Sequence, residues 1–162
     1  MRRHLPLALL AFLPGCNGTT AWQEYRDPAG RFRIEAPGPL EQITTTPVTS
    51  LTLRHPGLRY GLRFHQAPDG VRLRPLAQQR DGLRDELLRQ NQGELVSETP
   101  LTLAGEHPGR EVQVRRTGEA RVLLRFYVVG RRAYGVSVAP PEDRIDGPNA
   151  RRFLDSFQVL VP

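Results

Sequence analysis

The chain contains no lysine: all 23 of its basic residues are arginine. It has one cysteine, one methionine and one tryptophan in 162 residues. A single thiol excludes an intramolecular disulfide and a cysteine-based zinc site, since both need further sulfur ligands or a clustered partner. No apolar run reaches the roughly 20 residues that a bilayer-spanning helix requires. No glycine-rich phosphate loop opens a helix, and no internal repeat or low-complexity tract divides the chain. What remains is 38% hydrophobic and 25% charged, the balance of one folded domain. Its positive charge is planar and permanent, a form suited to carboxylate and phosphate, although a GC-rich genome produces the same arginine bias.

The first residues read as an address. Arg2 and Arg3 precede an apolar segment, Leu5 to Leu13, interrupted by Pro6, and Leu13-Pro14-Gly15-Cys16 follows. Positive end, short apolar run and terminal Gly-Cys come in the order of a secretory signal. The last four residues resemble the bacterial lipobox, departing from it at Pro14, where the family has a small residue. The resemblance implies cleavage before Cys16, a diacylglycerol on its sulfur and an acyl group on its new amine. Residues 1–15 are therefore expected to be a lipoprotein signal peptide, 16–21 a lipidated tether, and 22–162 one domain. The expected location is the extracytoplasmic or periplasmic side of the cell envelope, held to the membrane by lipid. Asn17 is not the aspartate associated with inner-membrane retention in enteric bacteria, which favours an outer membrane where the cell has one. Without residues 1–15 the chain has 21 arginines against 17 acids, a net charge of +4. That is too little to imply a nucleic-acid partner.

Along the domain the hydrophobic period changes. Phe32, Ile34 and Ala36 alternate with charged residues, and Pro37-Gly38-Pro39 stops that strand. Leu58, Tyr60, Leu62 and Phe64 alternate with Arg59, Gly61, Arg63 and His65, and Val48 to Arg54 reads as the partner strand through His55-Pro56-Gly57. Residues 73–92 take a helical period, with Leu76, Leu83 and Leu87 on one stripe, Leu73 and Ala77 beside it, and Gly93 as the stop. Strands resume at Leu95 to Ala104 and Arg110 to Arg116. In "ARVLLRFYVVGRRAYGVSVAP" two apolar runs meet at Gly130-Arg131, a hairpin turn, and the first run is apolar on both faces. A final helix is expected from Pro148 to Phe157, with Ala150, Phe153, Leu154 and Phe157 at i, i+3, i+4 and i+7. Strands, helix, strands, helix is the order of an α+β domain, expected here as a single mainly antiparallel β-sheet with helices packed on it.

"YRDPAGRFRIEAPGPL", "FYVVGRRAYGVSV" and "RRFLDSFQVL", taken in order, resemble the PsbP-like superfamily. The resemblance implies an antiparallel sheet between helices and transfers no catalytic residue, metal ligand or cofactor.

Few residues of the chain form a recognisable chemical motif. "GVSVA", residues 135–139, approaches the serine-hydrolase elbow, but Ser137 falls inside a strand and Pro140-Pro141 replaces the helix that motif needs. His55, His65 and His107 have no second metal ligand at helical or strand spacing, so no metal site is expected. Asp85-Glu86 and Glu142-Asp143 read as solvated surface. One constellation stands apart: Arg59, Arg63 and His65 share one strand face, and Arg121 and Arg125 share one in the hairpin. If those strands adjoin, they form an anion-binding patch, which Arg115, Arg116, Arg131 and Arg132 extend. The leading expectation is a non-enzymatic, lipid-anchored envelope protein that binds another envelope component. A binder of an anionic small molecule or glycan through the arginine face comes second, and a hydrolase third. Arginines each matched to an acid favour the first; an open face of unmatched arginines favours the second.

Overall fold

The computed structural model describes residues 21–55, 57–69, 74–116, 121–139 and 147–160. Cys16 with its signal, Pro56, Leu73, Pro140-Pro141 and the Glu142-Asp143 pair lie outside the described residues. The elements in chain order are β1 (Gln23–Asp27), β2 (Phe32–Ala36), β3 (Glu41–Thr45), β4 (Val48–His55), β5 (Leu58–Gln66), α1 (Leu76–Asn91), β6 (Gly93–Leu103), β7 (His107–Arg116), β8 (Arg121–Val129), β9 (Arg132–Ala139), α2 (Pro148–Asp155) and β10 (Gln158–Val159).

These elements correct the expected single sheet. Ten strands form two antiparallel sheets, one of three strands in the order β1-β2-β10 and one of seven in the order β3-β4-β5-β9-β8-β7-β6. The domain is mostly β with two short helices, and it continues past the second helix into a strand. Alternation in Phe32, Ile34 and Ala36 revealed a strand with one buried face, but not which strands it would join. In the fold β2 pairs with β1 and, across the length of the chain, with β10 through Arg33↔Gln158 and Phe32↔Val159.

Local chemistry explains the element ends. Gly130, at φ 58, lets β8 turn straight into β9, as its position between two apolar runs implied. Helix α1 stops at Gln92, which is left-handed and whose N–H reaches the carbonyls of Arg89 and Leu88. Gly93 is thus the first residue of β6 and not the helix stop; a Cβ there would come within 2.4 Å of Val114. Helix α2 stops at Asp155, short of Phe157, because Ser156 intervenes. The Ser156 hydroxyl donates to the Phe153 carbonyl at 2.9 Å and accepts from the Glu35 N–H at 2.9 Å, tying the helix end to β2.

The main core lies between the large sheet and the layer formed by the small sheet and α2. Phe32, Tyr60, Tyr134, Phe153 and Phe157 are each 0–2% exposed. Tyr60 meets Phe153 at 4.9 Å between ring centres, and Tyr127 stacks on Phe157 at 5.5 Å. On the opposite face α1 packs over β6, β7 and β8. There Leu83, Leu87 and Leu88 meet Val112, Val114, Leu124 and Phe126. Leu76, assigned to that stripe by its spacing, is 37% exposed. The helix covers only one half of its face, and the other half holds the site.

Candidate functional site

Strand β9 is the middle strand of seven, a position where both faces normally carry bulk. Its core face does: Tyr134, Val136 and Val138 are fully buried. Its other face carries Ala133, Gly135, Ser137 and Ala139. Opposite Ser137 on β5 stands Gly61, and opposite Gly135 stands Arg63. A Cβ at Gly61 would approach the Ser137 Oγ to 2.7 Å, so glycine is needed for the strands to keep this register. A Cβ at Gly135 would meet nothing within 4 Å, because the space above it is open.

The result is a groove along β9, with α1 as one wall and β4–β5 as the other. It has two lobes. One of about 340 Å³ lies by Ser50, Thr52, Arg59, Arg63, Leu87 and Ser137. The second, about 290 Å³, lies by Arg63, His65, Leu83, Leu87, Phe126 and Gly135. Arg63, Leu87, Leu124 and Ser137 border both, so the lobes are one trough. Arg59 to His65 spans six residues of strand, about 20 Å at the usual rise.

Cross-strand register decides the electrostatics. Arg54 on β4 faces Arg59 on β5 directly. Both are exposed, and among the described residues neither forms a hydrogen bond or ion pair. Like charges placed opposite one another destabilise a sheet. Arg63 stands four residues further along the same face and His65 six. Burial, and secondly the charge of Arg63, lower the pKa of His65 below its ordinary 6.5, which favours the neutral ring at neutral pH. The acid on the facing wall, Glu86, is held by Arg89 at 2.6 Å. The groove is therefore cationic along its strand wall, while its helix wall is formed by the apolar Leu83 and Leu87 with the Arg89-paired Glu86 between them.

The five residues expected to form one patch are divided. Arg59, Arg63 and His65 face the groove, but β5 and β8 are separated by β9. Arg125 shares a face with Leu123 and Tyr127, on the α2 side, and Arg121 follows it by strand alternation. Arg125 donates to Glu111 at 2.7 Å and to Asp155 at 2.6 Å, and Arg151 reaches the same Glu111 at 2.9 Å. A larger cavity, about 630 Å³, adjoins Arg125, but its guanidinium already has two carboxylates. Of the proposed extensions, Arg131 pairs with Asp69 on the loop after β5 at 3.8 Å.

Ser137, His65 and Glu86 border one lobe, so a nucleophile relay must be tested by geometry. Ser137 is in register with Gly61, and His65 with Ala133, four residues away along the strand. That separation is about 13 Å, far beyond hydrogen-bond reach. The Ser137 hydroxyl donates instead to the Gly61 carbonyl at 3.4 Å. The three groups share a groove without forming a relay. Among the described residues no cluster of three or more metal-ligating side chains occurs.

Arg54 was missed in the sequence, although counting back across the His55-Gly57 turn pairs it with Arg59. The small residues of β9 were also legible, as an every-other-residue pattern of Ala, Gly, Ser and Ala through "AYGVSVA".

No protein-family model and no curated protein matches this chain. Among solved structures, the chain is similar to the solution structure of cyanobacterial PsbP (CyanoP) from Synechocystis sp. PCC 6803, with 15% identity over 93% of this chain and 98% of that one and a TM-score of 0.61. It also aligns with PA94, a protein of unknown function from Pseudomonas aeruginosa, at 13% identity over 87% of this chain and 96% of that one, TM-score 0.47. A third alignment is with the apo immunity protein TplEi from the same organism, at 18% identity over 80% of this chain and 46% of that one, TM-score 0.41. At these identities the likeness is one of fold, and the fold it shows for this chain is PsbP-like.

Proposed function

We propose that the protein is a non-catalytic, lipid-anchored module of the cell envelope that binds an anionic ligand through the groove along β9. The observation that carries the reading is the Arg54–Arg59 pair, two cross-strand guanidiniums with no acid among the described residues. Other arginines pair with acids, among them Arg33 with Glu24, Arg110 with Asp81, Arg125 with Glu111 and Arg152 with Glu35. Arg115 and Arg121 also face one another without an acid among the described residues, but on the α2 side of the sheet, away from the groove. Arg59 lines a cavity of ligand size and Arg54 stands directly opposite it on β4; two adjacent cations left without a counterion are what an oxyanion would complete. This raises the second of the two binding expectations above the first. The absence of relay geometry around Ser137 supports a binding role over hydrolysis.

The test is a titration of the full chain, labelled in arginine, with inorganic phosphate at constant ionic strength. The side-chain N–H resonances of Arg54 and Arg59 move, while Arg125 stays still. Equal movement at all arginines, or none at Arg54 and Arg59, contradicts the reading.

The anchor rests on the sequence of residues 2–16. Its support is the succession of Arg2-Arg3, a short apolar segment and Gly15-Cys16. Two or more acyl chains hold a protein stably to a membrane, whereas one gives marginal binding. Expressed in a bacterial host with a palmitate analogue, the wild-type chain takes up label and sediments with membranes, and Cys16→Ser does neither. Equal labelling of the two removes the anchor and leaves the groove reading untouched.

A further inference from the structure

The groove does not end at its arginines. Beyond Arg59 it runs along a floor of Ala133, Gly135 and Ser137 and beneath Leu83 and Leu87 of the helix wall, which also carries Glu86, down to Phe126. An anion alone would be satisfied at the Arg54–Arg59 end and would leave the second lobe empty. A purely apolar ligand would gain nothing from Arg54 and Arg59. The emptiness is specific to one face: the same strand carries Tyr134, Val136 and Val138 behind it, all buried. It is also not imposed by packing, because a side chain at Gly135 would meet nothing within 4 Å.

From this juxtaposition we infer that the ligand is a single-chain amphiphile, its oxyanion head at Arg54 and Arg59 and its hydrocarbon chain laid along β9 under α1. The inference rests on the proposed anion-binding role and names its ligand class. Both walls contribute by different physics. The guanidiniums give charge-assisted hydrogen bonds to a phosphate or carboxylate, and they fix which end of the ligand lies where. The second lobe removes chain from water, and each buried methylene tightens binding by about fourfold. Glu86 does not oppose the head: it borders the second lobe, away from Arg54 and Arg59, and Arg89 holds it. His65 lies in the same lobe, and burial lowers its pKa, so it adds no full positive charge there at neutral pH beside Arg63 and Glu86.

The experiment uses the full chain in phosphatidylcholine vesicles and a dodecyl phosphate carrying a photoactivatable group near its chain end. Labelled peptides are mapped, and labelling is competed with unmodified compounds. Label is expected on α1 and β9. Dodecyl phosphate should compete at least about 100-fold better than inorganic phosphate, the gain from burying only about three or four methylenes, since the head is the same and only the chain differs. Dodecanol should compete at least tenfold worse than dodecyl phosphate. Dodecanoate distinguishes the source of the oxyanion: competition equal to the phosphate identifies a carboxylate-tolerant site, and weaker competition a phosphate site, with either outcome supporting an amphiphile. Gly135→Leu fills the floor and abolishes labelling, with a urea midpoint no lower than wild type as the check on folding. Arg54→Gln/Arg59→Gln, which disturbs no packing, lowers it at least tenfold.

If inorganic phosphate competes as well as dodecyl phosphate, the amphiphile is wrong and the anion-binding function stands. Competition by dodecanol equal to that by dodecyl phosphate overturns the role of the head. Label spread evenly over the surface, or unchanged by Gly135→Leu, overturns the groove as its location. A chain that neither labels nor shows the arginine resonance shifts loses both the inference and the function beneath it.

Discussion

On the α2 side of the seven-stranded sheet, strands β5, β9 and β8 present Tyr60, Leu62, Tyr134, Val136, Val138, Leu123 and Tyr127, all within 2% of complete burial. On the other side β5 and β9 present Gly61, Arg63, Gly135 and Ser137, partly open to solvent. The contrast extends to charge. Arg125, on the closed side, touches two carboxylates; Arg59, on the open side, faces another arginine. A sheet that maximised stability would close both faces in the same way. Here one face supplies the core and the other keeps volume and unmatched charge together in one place, an arrangement that lowers stability unless something occupies it.

The largest expected effect that can break this comparison is in the cores. Phe153 is fully buried between α2 and Tyr60, so Phe153→Ala should cost about 3–5 kcal/mol in urea unfolding. Leu83→Ala, on a half-covered helix wall, removes less apolar area from a partner and should cost about 1–2 kcal/mol. Equal losses at the two positions would show that α1 closes its face as firmly as α2 does.

Much of the fold was legible because the relevant signals are local. Alternation in Leu58 to His65 assigned β5 and its two faces, and the i, i+3, i+4 spacing of Ala150, Phe153 and Leu154 assigned α2. The division into two sheets was not legible, since β2 pairs with β10 at a separation set by the whole chain. The same limit explains the patch. Alternation correctly grouped Arg59 with Arg63, and Arg121 with Arg125, but which side each pair took depends on the register through β9 between them. A one-residue slip in that register would have exchanged the faces. The groove was half legible: small residues alternating with large ones in β9 are visible in the sequence, but the helix that walls them in comes from residues 76–91, and only the tertiary fold brings it there.

The smallest expected effect is the most direct test, because its sign separates the two faces. Arg125→Gln withdraws a partly buried guanidinium from Glu111 and Asp155 and should lower stability by about 1–2 kcal/mol. Arg59→Gln relieves a like-charge pair and should raise stability by a few tenths to about 1 kcal/mol at low salt. The measurement is the urea midpoint of the full chain for wild type and these two variants at low salt, with and without added phosphate. The two substitutions should shift the midpoint in opposite directions, and phosphate should raise it in wild type and in Arg125→Gln but not in Arg59→Gln. Destabilisation by Arg59→Gln, or the same phosphate response in all three proteins, would contradict this contrast between the faces.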